Sequence, residues 1–318
     1  MKWKKLGKIF TPQKVKKKYW LKNFAQGPST LIFDDFIRVY FSCRPNPDKD
    51  GKFVSYSAFV DLDKNDLFNI INISQKPVIN LGGKGCFDEF GTYPISVIRE
   101  KEEIWAYYGG WTRCESIPFN TAIGFAKSID NGVSFKRLGP GPVLSYSINE
   151  PFNIGSARIR KFNDIFYLFY VSGEKWVIVN KKPEMLLKIR MATSSDGLNW
   201  KKHNKNLIKD DDNHNESQAS PDVFYHNNLY HMFFCNWLPS SFRKTKSRKI
   251  GYAYSTDLIN WIRKDENIGI DISSKGWDSE MIAYPHVFTV NNKIYMFYLG
   301  NEVGKYGFGL AELEGYLK

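Results

Sequence analysis

Apolar and polar positions alternate along short runs divided by tight polar turns, and this unit repeats along the chain. Its fifth copy, from Trp277 to Asn301, reads WDSEMIAYPHVFTVNNKIYMFYLGN. The pattern predicts a strand over Ala283–Val290, a turn at Asn291-Asn292 and a second strand over Lys293–Leu299. Asn tolerates the left-handed angles of such a turn, and the second run is too apolar for a solvated face. The unit recurs at 25–44, 87–110, 149–173 and 216–237, with Asp34-Asp35, Asn163-Asp164 and Asn227-Asn228 at three of the turns. A third strand and a turn with Ser, Asp and an aromatic follow at 123–135, 189–200 and 250–261, with a weaker version at 56–68. Asp130, Asp196 and Asp257 are expected to accept N–H groups of their own turns, with the aromatic folded back over them.

A fixed-period repeat outranks any single motif as a fold signal. Five copies in 318 residues predict one all-β domain, a five-bladed β-propeller. The blades fall at about 23–79, 86–144, 150–208, 216–270 and 280–318 plus 1–10. The fifth copy lacks an outermost strand. Trp3 to Phe10 resembles the segments after Trp200 and Trp261, so the N-terminal strand is expected to complete the last blade and close the ring. Two insertions, 111–120 and 176–187, and a basic one at 240–248 lengthen the links between second and third strands.

Composition narrows the class. Apolar residues at 42% suffice for a core, and aromatics at 16% suit strands stacked face to face. No long uncharged apolar run is present, so no transmembrane segment is expected. The start has lysines but no apolar core of a secretory signal. Cys43, Cys86, Cys114 and Cys235 lack metal-ligand spacing, and a reducing, cytoplasmic compartment fits them. Neither metal nor cofactor is expected, and no feature speaks to oligomeric state. Net charge is +12, with nine lysines in the first 22 residues. This suits a solvated lysine face, or an anionic partner such as an acidic or lipid-linked glycan or peripheral contact with an anionic membrane. No nucleic-acid signature accompanies the lysines, so no specific nucleic acid is expected.

Inner strands of a propeller line its channel. Pro28, Pro94, Pro221 and Pro285, with Ala157 in blade three, serve as a common reference. Alternation then puts Gly27 and Ser29, Tyr93 and Ile95, Ser156 and Arg158, Ser220 and Asp222, and Tyr284 and His286 on the channel face. The same parity carries Glu89, Glu150, Glu216 and Glu280 to one mouth, and Asp88 and Asp278 can substitute for their neighbours. Carboxylates converging with aromatic rings suit carbohydrate. Glycoside cleavage needs one protonated and one ionised carboxyl.

These features resemble the five-bladed propeller glycosidases: the arabinanase/xylosidase family 43, the invertase and levansucrase families, and the mannoside phosphorylases of family 130. Phe87-Asp88-Glu89-Phe90-Gly91, Glu216 and Trp277-Asp278-Ser279-Glu280 are similar to elements of propellers found with bacterial surface-polysaccharide genes. The propeller domain of plant inositolphosphorylceramide glycosyltransferases is also similar. The resemblance implies a carbohydrate-active enzyme that cleaves or transfers a glycosyl unit of a bacterial surface glycan. Glu216 and Glu280 are expected as the working pair, with Asp88 and Glu150 close by. Arg44, Glu89, Trp111, Arg113, Arg158, Asp222, Asp278, Tyr284, His286 and Asn301 are expected around the sugar. One departure matters: those families carry a carboxylate immediately before the blade-one proline, where this chain has Gly27-Pro28. Two alternatives follow. One is a glycoside phosphorylase with phosphate on Arg44, Arg113 and Arg158. The other is a glycan-binding propeller without catalysis.

Overall fold

Five sheets of four antiparallel strands carry the five repeats, in a computed structural model that describes residues 1–211, 215–241 and 248–317. Blade one is Asn23–Ile32, Phe36–Arg44, Tyr56–Asp63 and Ile70–Ile73, from the channel outward. Blade two is Gly91–Glu100, Glu103–Arg113, Phe119–Ser128 and Lys136–Arg137. Blade three is Ile154–Phe162, Ile165–Val179, Lys182–Ser194 and Lys201–Lys202. Blade four is Ser217–His226, Leu229–Trp237, Lys249–Ser255 and Ile262–Arg263. Blade five is Ala283–Val290, Lys293–Leu299 and Phe308–Glu314, completed by Lys2–Phe10.

Local chemistry sets the inner hairpins. Asn163-Asp164, Asn227-Asn228 and Asn291-Asn292 all have positive φ at both turn positions, the geometry whose twist matches the flanking strands. The 176–187 insertion is no loop. It extends the second and third strands of blade three into a hairpin, with Trp176 opposite Met185.

The N-terminal strand closes the ring as expected. Lys2 to Phe10 pairs with Phe308 to Glu314, and Trp3 packs edge-on against Phe233 of blade four. Trp261, Trp200 and Phe135 make the same contact with Phe169, Tyr107 and Tyr40 of the blade before their own. The aromatic of each turn therefore locks onto the preceding blade instead of folding over its aspartate. The aspartates do hold their turns. Asp196 accepts the N–H groups of Asn199 and Leu198, and Asp257 those of Asn260 and Ile259. These bonds hold both carboxyls below the usual range.

Every inner strand is irregular at a shared place, and that of blade one also between Asn23 and Gln26. The register against the second strand shifts between Gln26 and Ser29, Thr92 and Ile95, Gly155 and Arg158, Ala219 and Asp222, and Ala283 and His286. Gly27, Ser156, Ser220 and Tyr284 take positive φ there, and blade two has a cis Tyr93-Pro94 bond. At Gly27 a Cβ would come within 2.7 Å of Pro94 Cβ, so only glycine fits. Pairing also fixes the alignment of the blades. Thr30, Ile159, Val223 and Val287 lie opposite Val39, Leu168, Met232 and Met296, and each follows its reference residue by two. In blade two Val97 lies opposite Ala106, so Ile95 and not Pro94 holds the reference place. Ser96, not Ile95, is the counterpart of Ser29, Arg158, Asp222 and His286.

Candidate functional site

That corrected position builds a belt around the channel. Ser29 Oγ accepts the Val97 N–H of the next blade (3.4 Å), and Ser96 Oγ accepts that of Ile159 (3.1 Å). Asp222 Oδ2 accepts that of Val287 (2.6 Å), and His286 Nε2 that of Thr30 (3.0 Å). Arg158 cannot accept. It crosses the axis to the Pro28 carbonyl (3.0 Å) and meets Asp222 Oδ1 (3.0 Å). Arg160 adds a second cation to Asp222 (2.5 Å). Burial would raise the Asp222 carboxyl, but Arg160, His286 and Arg158 outweigh it and hold the group below its usual range. Burial lowers His286 from its ordinary 6.5 to about 4, with Asp222 opposing. Neutral His286 accepts at Nε2, which leaves the proton on Nδ1 to face Asp222 (3.3 Å).

One layer above, Tyr93 of blade two and Tyr284 of blade five join their hydroxyls in a hydrogen bond. Arg44 lies over Phe24 (4.6 Å), Phe53 (5.5 Å) and Tyr93 (5.9 Å). Arg248 lies over Trp237 (4.0 Å) and Tyr284 (6.0 Å). Burial and then Tyr284 push the Tyr93 phenol well up, while Arg44 and Arg248 pull it down. Arg113 donates to the Phe53 carbonyl (3.0 Å) and covers Phe90 (4.2 Å), which packs against Trp111. The Trp111 indole donates to Ser55 Oγ (2.6 Å). Arg44, Trp111, Arg113 and Tyr284 are thus linked around blades one, two and five, with Tyr93 and Arg248 added.

The expected ring of carboxylates is arranged otherwise. Parity cannot be carried back through five bulges, since each extra residue reverses the faces. Asp88 binds Tyr108 (2.9 Å) and Arg137 (2.6 Å). Glu150 binds Tyr170 (2.8 Å), Lys202 (2.5 Å) and Arg190 (3.2 Å). Glu216 receives both branches of Arg263 (2.8 and 3.0 Å). Asp278 binds Tyr298 (3.1 Å) and Lys5 (2.7 Å). In each of these four blades the cation sits two residues after the aromatic, on the outermost strand: Phe135-Lys-Arg137, Trp200-Lys-Lys202, Trp261-Ile-Arg263 and Trp3-Lys-Lys5. Each buried acid is therefore a staple between the entry and the outer edge of its own blade. The recurrence of aromatic, any residue, then Lys or Arg is the sequence signal that marks these partners.

Glu280 and Glu89 are placed differently. The Glu280 N–H donates to Asn301 Oδ1 (2.8 Å), and its half-buried carboxyl has no ion pair among the described residues. Glu89 accepts the Gly85 N–H (2.9 Å). The segment after Asn301 ties the Glu280 turn to the mouth. Val303 N–H donates to Met281 Sδ, and Gln26 Nε2 donates to the Val303 carbonyl (2.6 Å).

On the outer edge, Lys8, Lys14, Lys16, Lys17, Lys18 and Lys76 line a groove of about 1130 Å³. Arg243, Lys244 and Lys246 of the basic insertion lie outside the described residues, whereas Arg248 and Lys249 are described. Among the described residues, no cluster of His, Cys, Asp and Glu could hold a metal ion, and no helix is long and apolar enough to cross a membrane.

The fold is that of the five-bladed propeller glycosidases. A solved structure described as a glycoside hydrolase has a TM-score of 0.75 at 15% identity, covering 99% of this chain and 93% of that one. One from work on family 130 mannoside phosphorylases and hydrolases gives 0.71 at 15%, covering 98% and 93%. A thermostable family-43 glycoside hydrolase gives 0.68 at 14%, covering 94% and 93%. No protein-family profile matches the chain. The uncharacterized proteins Rv1502 and MT1551, from two strains of Mycobacterium tuberculosis, are each 32% identical over 315 residues, covering 99% of this chain and 100% of theirs. The chain belongs to the same family as these two proteins.

Proposed function

We propose that the chain is a carbohydrate-active, glycoside hydrolase-like enzyme that takes a glycosyl unit of a bacterial surface glycan at the mouth and cleaves or transfers it. The observation that carries this reading is Glu280, a half-buried carboxyl without a cationic partner among the described residues, four residues ahead of Tyr284. Cleavage needs a carboxyl able to pass a proton to the leaving oxygen. Asp88, Glu150 and Glu216 are each clamped by Arg or Lys and Glu280 is not, so we assign the former to holding the blades and Glu280 to the acid role. Arg44, Trp111, Arg113 and Tyr284 line the sugar, and Asn301 positions the acid. A single acid suffices if phosphate is the nucleophile: a phosphate oxygen bonds the anomeric carbon as the glycosidic C–O bond breaks, and the leaving oxygen keeps that electron pair and takes the proton of Glu280.

A second reading, a glycan-binding propeller without turnover, is favoured by one observation. The bulge positions Gly27, Pro94, Ser156, Ser220 and Tyr284 include no carboxylate. The test is a panel of aryl glycosides and glycan fragments, with and without phosphate. Free sugar released in both conditions means hydrolysis, and sugar phosphate released only with phosphate means phosphorolysis. Binding by calorimetry without turnover selects the second reading. A panel with neither turnover nor binding sinks both.

A further inference from the structure

We infer that the sugar taken at the mouth is acidic, its carboxylate or phosphate held between Arg44 and Arg248 over the Tyr93–Tyr284 bridge. This rests on the reading of the mouth as a sugar site and adds the charge of its ligand. The two arginines come from blades one and four and lie over the rings of the two hydrogen-bonded tyrosines, Arg44 over Tyr93 and Arg248 over Tyr284. Each guanidinium lies over aromatic rings, and a guanidinium so stacked presents its N–H donors edgewise, in the fork that fits a carboxylate or phosphate. The floor beneath adds to the same sign. Arg158 and Arg160 share the one carboxylate of Asp222, and Arg158 Nη1 is buried without a hydrogen-bond partner among the described residues. Arg158 and Arg160 set two cations against that one carboxylate, an excess that an incoming anion would offset. Gln26 Oε1 is a buried acceptor without a partner among the described residues, one residue before the blade-one bulge. It would take a hydroxyl of the same sugar. Phe24, under Arg44, is held at a φ of 65°, a conformation that costs a non-glycine residue and persists where the surroundings enforce it.

The experiment uses the full chain on an array of paired glycans that differ only in charge. The pairs are glucuronosyl against glucosyl, galacturonosyl against galactosyl, and mannose 6-phosphate against mannose termini, with inorganic phosphate as a separate competitor. The acidic member of at least one pair should bind on the order of tenfold tighter or more, as expected for charge-assisted hydrogen bonds. Arg44→Gln and Arg248→Gln should each remove that preference, weakening the acidic member severalfold more than the neutral one. Should either fail to fold, Arg44→Lys and Arg248→Lys keep the charge but lose the fork, and should reduce the preference severalfold. Preference among uronates alone names the carboxylate as the ligand group; competition by inorganic phosphate names phosphate. Neutral and acidic members binding alike, or folded variants that keep the preference, would overturn the inference and leave the sugar reading standing. No binding to any glycan would remove the sugar reading and the inference with it.

Discussion

Blade one and the other four blades meet the same packing requirement with opposite chemistry. In blades two to five a buried acid, entering ahead of the inner strand, is bound to a cation on the outermost strand. In blade one the cation's place, opposite Val60 on the third strand, belongs to Ile73. Leu21 and Phe41 belong to the main hydrophobic cluster, and Ile73 packs against it. One ring therefore contains both solutions, so a buried acid is not by itself a sign of chemistry in this molecule. The belt shows a second contrast. Blades one and two contribute the uncharged Ser29 and Ser96, whereas blades three to five contribute Arg158, Asp222 and His286.

Breaking one staple should give the largest effect. Glu150→Ala strands Lys202 and Arg190 beside a buried Tyr170, and losing one partner of a buried pair costs about 3–5 kcal/mol. Urea denaturation at pH 7 should show that loss, while a change under 1 kcal/mol (roughly the worth of a surface pair) would mean the staple holds nothing.

The ionisable half of the belt should respond to acid. Folded His286 stays neutral down to about pH 4, whereas the unfolded side chain binds its proton near 6.5. The unfolded state therefore takes up protons first, and stability falls as pH drops through that window. The loss is about 3 kcal/mol at most. His286→Gln, which keeps an acceptor for Thr30, should flatten the profile between pH 6.5 and 4. An equally steep profile in the variant would place the proton uptake elsewhere.

The smallest effect should come from converting blade two to the blade-one solution. Replacing Asp88, Tyr108 and Arg137 together by Leu, Phe and Ile should leave stability within about 1–2 kcal/mol of wild type, because swapping a whole buried ion pair for apolar groups is often neutral. Arg137→Ile alone should cost more than the triple change. The reverse order would show that the two solutions are not interchangeable.

Much of the fold is written locally. The strands Ala283–Val290 and Lys293–Leu299 match their predicted limits, because side-chain period and Asn-Asn turn chemistry are properties of neighbouring residues. Ring closure is legible as well, since Trp3-Lys-Lys5 repeats the pattern of Trp200-Lys-Lys202. The mouth is not. One extra residue per inner strand reverses which side chains face the channel, and of the bulge positions only Gly27 is a glycine. Aligning by proline also puts Ile95 where the register puts Ser96. Arg44 and Tyr284 stand out in the sequence as candidates, but their place beside Tyr93 and Arg248 is a long-range contact that no spacing encodes.

On the proposed reading the acids divide into Glu280, assigned the acid role, and Asp88, Glu150 and Glu216, paired with cations of their own blades. The most direct test compares Glu280→Gln with Glu150→Gln on whichever glycan the panel shows to be turned over. Glu280→Gln should melt with the wild type and lose about 10²–10⁴-fold in kcat, the usual contribution of a positioned general acid. Glu150→Gln should melt lower yet, assayed while folded, keep kcat within roughly threefold, far short of a general acid's share. A Glu280→Gln enzyme turning over at the wild-type rate, or a folded, stable Glu150→Gln enzyme that is inactive, would contradict the division.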